Sequence, residues 1–460
     1  MATTAEYLNA LRRDKNNYIN VIKNITGYCP EEATFTQATQ SLKQNLPAIE
    51  TDFYSNASYL FRGVNYASSG YWNSIGYPMS PINIVEDTRR LSIINFTNLV
   101  GTFSGAIHLT DLDVSNWNTS LVTNMCSTFS SCDNLSTIDI ENWDVSNVTH
   151  MSSMFSYCNN LQSLNLSKWN LKSLTNGTYM FFNSHNLKLI GIDAWNLSSL
   201  QNGYGMFDGI KNIQNLNFVN WNLGNLVNAM GMFSSIDELR SINLYGLNIG
   251  KVENACQMFE CASNLENVAY LNQANTTALN CAATMFYATG LKSINASFKY
   301  YNNLTSINHM YCYCYNLVTV NMENIGFARF SSNNNYVAMV NVFYGCNNLK
   351  TANLYGWNCQ NISLINNMFS YCNNLVNVDL TNWNLNNLQY ANNMFLYCNN
   401  LSNYALSNIA NAFSTATSMY YKNMNNTNKY SPLYNTNKQM NSATIGDTVL
   451  AKLTSNGWNV

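Results

Sequence analysis

Residues able to do acid–base, nucleophilic or metal chemistry are few and widely spaced in this chain. It carries four histidines, His108, His150, His185 and His309, and 13 cysteines among 460 residues. The densest grouping is "HMYCYC", which holds His309, Cys312 and Cys314. One imidazole and two thiolates could supply three zinc ligands, but a structural zinc site needs a fourth, usually from a second Cys or His pair at fixed spacing. No such pair follows, and Cys314 belongs to a periodic column described below. No Ser/His/Asp or Cys/His grouping recurs, and no Gly-rich phosphate loop is present. The sequence therefore predicts no enzyme, no catalytic residue, no metal and no cofactor.

The cysteines have a different logic. Cys132, Cys158, Cys314, Cys346, Cys372 and Cys398 each stand three residues after an aromatic residue. Those aromatics are themselves periodic: Phe103, Phe129, Phe155, Phe181, Phe207, Phe233 and Phe259 are 26 apart, followed by Phe286, Tyr311, Phe343, Phe369 and Phe395. Trp117, Trp143, Trp169, Trp195 and Trp221 keep the same interval. A fixed period of this size marks a solenoid. Residues recurring in register point into the stack, where a thiol acts as a small apolar filler. The cysteines are expected to be reduced and buried, since their odd number and column spacing do not describe a disulfide framework.

One repeat shows how its parts are positioned. "LSTIDI" and "LVNVDL" have L-x-x-L-x-L spacing, and strand alternation turns Ile138 and Ile140 inward and Asp139 outward. The segments before the landmark, such as "NVTHMSSMF", show apolar spacing of three to four, which predicts a short helix or 3₁₀ turn. One turn cannot bury its own Trp, Phe and Met; stacking buries them against their equivalents. The expected fold is an α/β repeat solenoid, a leucine-rich-repeat-like stack of parallel strands with about twelve 26-residue turns.

Composition agrees. Hydrophobic residues are 47%, enough for a continuous core, while charged residues are only 10% and the net charge is −2. The lack of basic runs argues against nucleic acid as a partner. Asn replaces much of the missing charge. It follows Trp at Asn118, Asn170, Asn196, Asn222, Asn358 and Asn384, and it recurs in "CNNL". These columns predict amide ladders that satisfy turn backbone.

Residues 1–50 fall outside the period. Their pattern predicts two amphipathic helices, a small N-terminal helical hairpin that serves as an attachment module. Residues 51–100 are expected to form an N-terminal cap, 101–413 the solenoid, and 414–460 a loop followed by a C-terminal cap with a last helix. The N-terminus does not read as a signal peptide, and no apolar stretch is long enough to span a membrane.

The repeat "LSTIDIENWDVSNVTHMSSMFSYCNNL" resembles the BspA-like leucine-rich repeat family of bacterial surface proteins. Its unit runs approximately L-x-x-L-D-L-S-x-W-D-T-S-N-V-x-N-M-x-x-M-F-x-x-C. That resemblance covers residues 101–413 and implies adhesion and protein binding without catalytic residues. The N-terminal segment is similar to short modules of tailed-phage structural proteins. Together they imply a bacteriophage structural protein. Residues 1–50 would dock onto other virion proteins, and the solenoid would project towards a host-surface protein or glycan. The alternative is a bacterial surface adhesin or secreted interaction protein. Location follows the function, virion or cell surface, and self-association is left open.

Two surfaces compete as recognition sites. The strand column Asp113, Asp139, Asn165, Gly191, Asn217, Asn243, Asn353 and Asp379 reads more naturally as a solvated ladder. The irregular region between Phe259 and Phe343 is rich in Tyr and carries six extra residues between Tyr311 and Phe343, which in repeat proteins map to loops on one face. Tyr301, Tyr313, Arg329 and Tyr336 are expected to be exposed there and to bind the ligand.

Overall fold

The computed structural model describes residues 96–107, 109–110, 112–217, 221–243, 249–269, 277–295, 304–327 and 337–460. The helical hairpin expected at 1–50, and all but the last residues of the cap expected at 51–100, lie outside them. The described residues fall into two compact units. One runs to Leu174 and includes Asn186–Ile192; the other comprises Thr175–His185 and Asp193–Val460.

In the first unit β1 (Ser163–Asn165) pairs in parallel with β2 (Lys188–Ile190), Leu164 opposite Leu189. In the second, β3 (Asn215–Asn217), β4 (Ser241–Asn243) and β5 (Asn267–Ala269) form one parallel sheet. Of the strands that follow, β6 (Ser293–Asn295), β7 (Thr319–Asn321), β8 (Val337–Ala338), β9 (Thr351–Asn353), β10 (Ile362–Leu364) and β11 (Asn377–Asp379), four stack in the order β11-β9-β7-β6 and β8 pairs with β10. All these pairs are parallel. The chain is thus a parallel solenoid with repeats of about 26 residues, as the spacing predicts.

The segment carrying the landmark aromatic departs from expectation. It is no continuous helix. The amides of Gly101, Phe103 and Gly105 donate to the carbonyls of Cys126, Thr128 and Ser130 in the next turn, at 2.7–2.8 Å. The amides between them turn back three residues instead: Thr102 to Leu99, Ser104 to Gly101 and Ala106 to Phe103. The residues two before and two after the landmark take left-handed backbone, as in Ser127 and Ser131, Thr284 and Ala288, and Asn367 and Tyr371. A left-handed residue every fourth position stops a helix from propagating. The three-residue back bonds reproduce the apolar spacing of three and four that suggested one.

Inside, the landmark rings are fully buried and stack face to face. Steps are 5.4 and 5.2 Å along Phe103, Phe129 and Phe155, and 5.1–5.7 Å from Phe181 to Phe395 in the second unit. The indole N–H groups of Trp143, Trp169 and Trp383 donate to the carbonyls of Val114, Ile140 and Leu354. Each thiol of the cysteine column likewise donates to the landmark carbonyl of the preceding turn, from Cys132 to Phe103 at 3.2 Å through Cys398 to Phe369 at 3.0 Å. Burial pushes the Cys158 thiol up to about 12.

The amide ladders form as spacing suggests. Asn134, Asn186, Asn264, Asn348, Asn374 and Asn400 donate to a carbonyl of the preceding turn, at 2.6–2.9 Å. The post-Trp residues Asn118, Asn170, Asn196, Asn222, Asn358 and Asn384 accept from the amide two residues on.

One cysteine expectation is corrected. Cys256 and Cys281 are joined by a disulfide, with Cα atoms 5.7 Å apart. Both stand outside the column, 25 residues apart, and stacking brings adjacent turns to a separation a disulfide can span.

The last strand position is taken by a helix that the repeat pattern does not announce. α1 (Asn403–Phe413) begins at Ser402, whose hydroxyl accepts the Ala405 amide, and buries Leu406, Ile409 and Phe413. It packs beside β11 and covers that edge of the sheet. Two short helices, α2 (Ser442–Ile445) and α3 (Asp447–Ser455), pack on it in turn, with Trp458 edge-on to Phe413 at 5.5 Å.

Candidate functional site

Of the four residues expected to bind ligand, Tyr301, Arg329 and Tyr336 lie outside the described residues. Tyr313 is described, and it is one ring of a longer row. Tyr287, Tyr313, Tyr344, Tyr371 and Tyr397 sit on five consecutive turns with ring centres 5.6, 5.4, 5.2 and 5.0 Å apart. Neighbouring rings meet at 87°, 88°, 60° and 43°. Tyr371 and Tyr397 are 37% and 38% exposed, the other three half-buried. Tyr311, two residues before Tyr313, belongs instead to the buried landmark stack.

Local backbone places these rings. Tyr313, Tyr371 and Tyr397 occupy the left-handed position two after the landmark, with φ of 60°, 62° and 64°. Tyr287 and Tyr344 stand one residue earlier, and Ala288 and Gly345 take the left-handed position instead. The peptide amides of this segment are tied down: Tyr313 donates to the Tyr344 carbonyl, Gly345 to Ser370 and Tyr371 to Leu396, at 2.7–2.8 Å. Gly345 is required for a second reason. A Cβ there would lie 2.7 Å from Cδ1 of Tyr313, so the glycine leaves room for the ring.

The surroundings are largely uncharged. Asn347 and Asn373 recur beside the row, two residues after Gly345 and Tyr371, with Tyr315 at the equivalent place and 53% exposed. Partial burial, then the neighbouring phenols of Tyr313 and Tyr371 and the Cys312 thiol, push the Tyr344 phenol up. Glu260 acts on the row at its Tyr287 end. The row stops at Tyr397, where residues beyond α1 take the next place and Phe395 donates to the Pro432 carbonyl.

The sequence held a signal for this row that column counting on the landmark alone misses. Its members stand either one or two residues after the aromatic, so no single column contains them all. The competing strand column behaves as a turn-capping ladder. Asp113, Asp139, Asn165, Asn353 and Asp379 accept from amides two residues on. The Cys314 thiol of "HMYCYC" is committed to the Phe286 carbonyl, while His309 lies against Asn341. Among the described residues no group of three His, Cys, Asp or Glu side chains could hold a metal.

Comparison with known proteins identifies the family. The family described as "Mycoplasma protein of unknown function, DUF285" matches residues 97–217, 178–301 and 305–435, well over half of the chain. The chain belongs to the DUF285 family. No curated protein matches it. Among solved structures, the DUF285 chain is similar to a leucine-rich repeat protein from Bacteroides ovatus, at 21% identity and TM-score 0.33, over 66% of this chain and 74% of that one. A leucine-rich cell surface protein from Faecalibacterium prausnitzii matches at 14% identity and TM-score 0.26, over 62% and 76%. The Toll–Spätzle complex of Drosophila matches at 15% and 0.24, over 70% of this chain and 42% of that one. No helix among the described residues is long and apolar enough to cross a membrane.

Proposed function

We propose that this DUF285 chain is a non-catalytic interaction protein of the bacterial surface or its surroundings, and that the tyrosine row is its contact surface. The row carries the proposal. The left-handed position two after the landmark holds Gly105, Gly209 and Gly345 but also Ser131, Tyr157, Asn183, Ser235, Cys261 and Ala288, so a side chain there is ordinary for this backbone. What distinguishes Tyr313, Tyr371 and Tyr397 is that their rings join those of Tyr287 and Tyr344 in one continuous row over five turns. A part-exposed row of Tyr on a hydrogen-bonded scaffold offers stiff contact area with polar tips, as binding surfaces do.

The Cys256–Cys281 bridge supports an exported location, since disulfides persist in oxidising surroundings. It favours the surface adhesin over a virion component assembled in a reducing cytoplasm. Protease shaving of intact producing cells tests the location: loss of the chain from unbroken cells is the expected result. Co-sedimentation with phage particles, abolished by deleting residues 1–50, would instead support virion attachment through that segment. Replacing Tyr371 and Tyr397 together by Ala tests the contact surface. Adhesion of cells or of purified chain to host surfaces should fall while the melting temperature stays within a few degrees.

A further inference from the structure

We infer that the tyrosine row binds an extended, uncharged polysaccharide running along the stack, one sugar ring to each turn. This rests on the row being the contact surface, and it adds the class of ligand. The first argument is pitch. The ring centres repeat every 5.0–5.6 Å over five turns. An extended polypeptide presents same-face side chains about 6.6–6.8 Å apart, so it slips by nearly a whole ring along the row. A pyranose has about the breadth of a phenol ring. A chain of pyranoses joined end to end therefore advances at close to the pitch of the row and keeps its register.

The second argument is orientation. Tyr313 meets both Tyr287 and Tyr344 nearly at right angles. Neighbouring rings there are turned about a right angle to one another. A pyranose suits such a mixed surface: its C–H faces pack on aromatic faces, and its hydroxyls lie around the rim, where phenol O–H groups can donate or accept. The third argument is charge. At the register position four after the landmark stand Tyr315 and the amides Asn347, Asn373 and Asn399, and the groups acting on the Tyr344 phenol are other phenols and a thiol. Amides supply both donors and acceptors to sugar hydroxyls. A polyanionic glycan would find no cation in this set, and Glu260 at one end would repel it.

The test uses the purified full chain with cello-oligosaccharides and chito-oligosaccharides from two to about eight units, with heparin and an unfolded polypeptide as the other probes. Calorimetric titration should show affinity rising with oligosaccharide length and levelling near five units, where the row ends. Tyr344→Ala and Tyr371→Ala should each weaken the longer oligosaccharides by about 3- to 10-fold and leave the shortest nearly unchanged. If Tyr344→Ala unfolds the chain, Tyr371→Gln at the more exposed position replaces it. Polypeptide binding that is lost in the same variants, with no oligosaccharide binding, would overturn the glycan assignment and keep the row as a contact surface. Heparin binding lost in those variants would overturn the uncharged class. Binding of every probe unaltered by the substitutions would overturn the row itself.

Discussion

At the scale of single residues, the same side-chain types serve opposite ends. The thiols of the column fill the core and donate to landmark carbonyls, while Cys256 and Cys281, which stand before their landmarks and outside that column, meet across adjacent turns. Alkylation of the native chain without reductant, followed by mass spectrometry, should leave Cys158, Cys346, Cys372 and Cys398 unlabelled until unfolding. It should then find them as free thiols, with a single peptide pair joining Cys256 to Cys281. A bridge between column members would contradict the packing. A second prediction concerns Asp208. Burial pushes its carboxyl up to about 6, with Glu260 adding to the rise and the Ser235 and Ser234 hydroxyls opposing it. The folded state thus favours the neutral acid. That contribution is fully present below the unfolded value and is lost as pH rises through about 6. Asp208→Asn should therefore raise the melting temperature more at pH 7.5 than at pH 4. Equal changes at the two pH values would show that this carboxyl does not carry the penalty.

At the scale of elements, the turn around each aromatic is the unit that repeats. Its two left-handed residues force the chain to alternate between bonding to the next turn and bonding back on itself. Where a residue with a Cβ holds the left-handed position for no contact of its own, glycine should be better. Ala288→Gly is expected to stabilise by up to about 1 kcal/mol, read as a higher denaturant midpoint at unchanged slope. Unchanged or lowered stability would mean that the methyl group packs usefully. The helix α1 is a different kind of device. It takes the place of a strand and covers β11, whose exposed edge would otherwise template pairing with another chain. Removing its cap with Ser402→Ala should cost about 1 kcal/mol. It should also raise the fraction of dimers and larger species on gel filtration at high concentration. Lost stability without association would show that the edge is protected by other means.

At the scale of the whole molecule, each turn contacts chiefly the next, through rings about 5–6 Å apart and carbonyls bonded across one period. Stability is then close to a sum over turns and their interfaces, and cooperativity has a limited reach. Phe233→Ala removes a buried ring from the middle of a stack and should cost about 3–5 kcal/mol locally. Unfolding should split, with amide exchange accelerated around residues 207–260 and little altered near 369–413. Uniform acceleration along the chain would point to a single cooperative body.

What the sequence determined alone was everything that depends on period. Residues 26 apart must share an environment, so the repeat, the parallel strands, the buried Phe and Trp columns, the thiol column and the Asn ladders follow from spacing and residue type. The tertiary structure decided what depends on backbone hand and on contact across turns. Apolar spacing of three to four fits a helix or a pair of three-residue turns equally well. Only the carbonyls of the next turn, by drawing every second amide away, select the turns. Tyr287 and Tyr313 occupy different offsets from their landmarks, Tyr313 on the left-handed position and Tyr287 one residue before the left-handed Ala288, and their rings meet only once the turns are stacked. The helix α1 and the Cys256–Cys281 bridge have the same origin. Both depend on which neighbour a residue faces once the turns are stacked, and a period does not encode that.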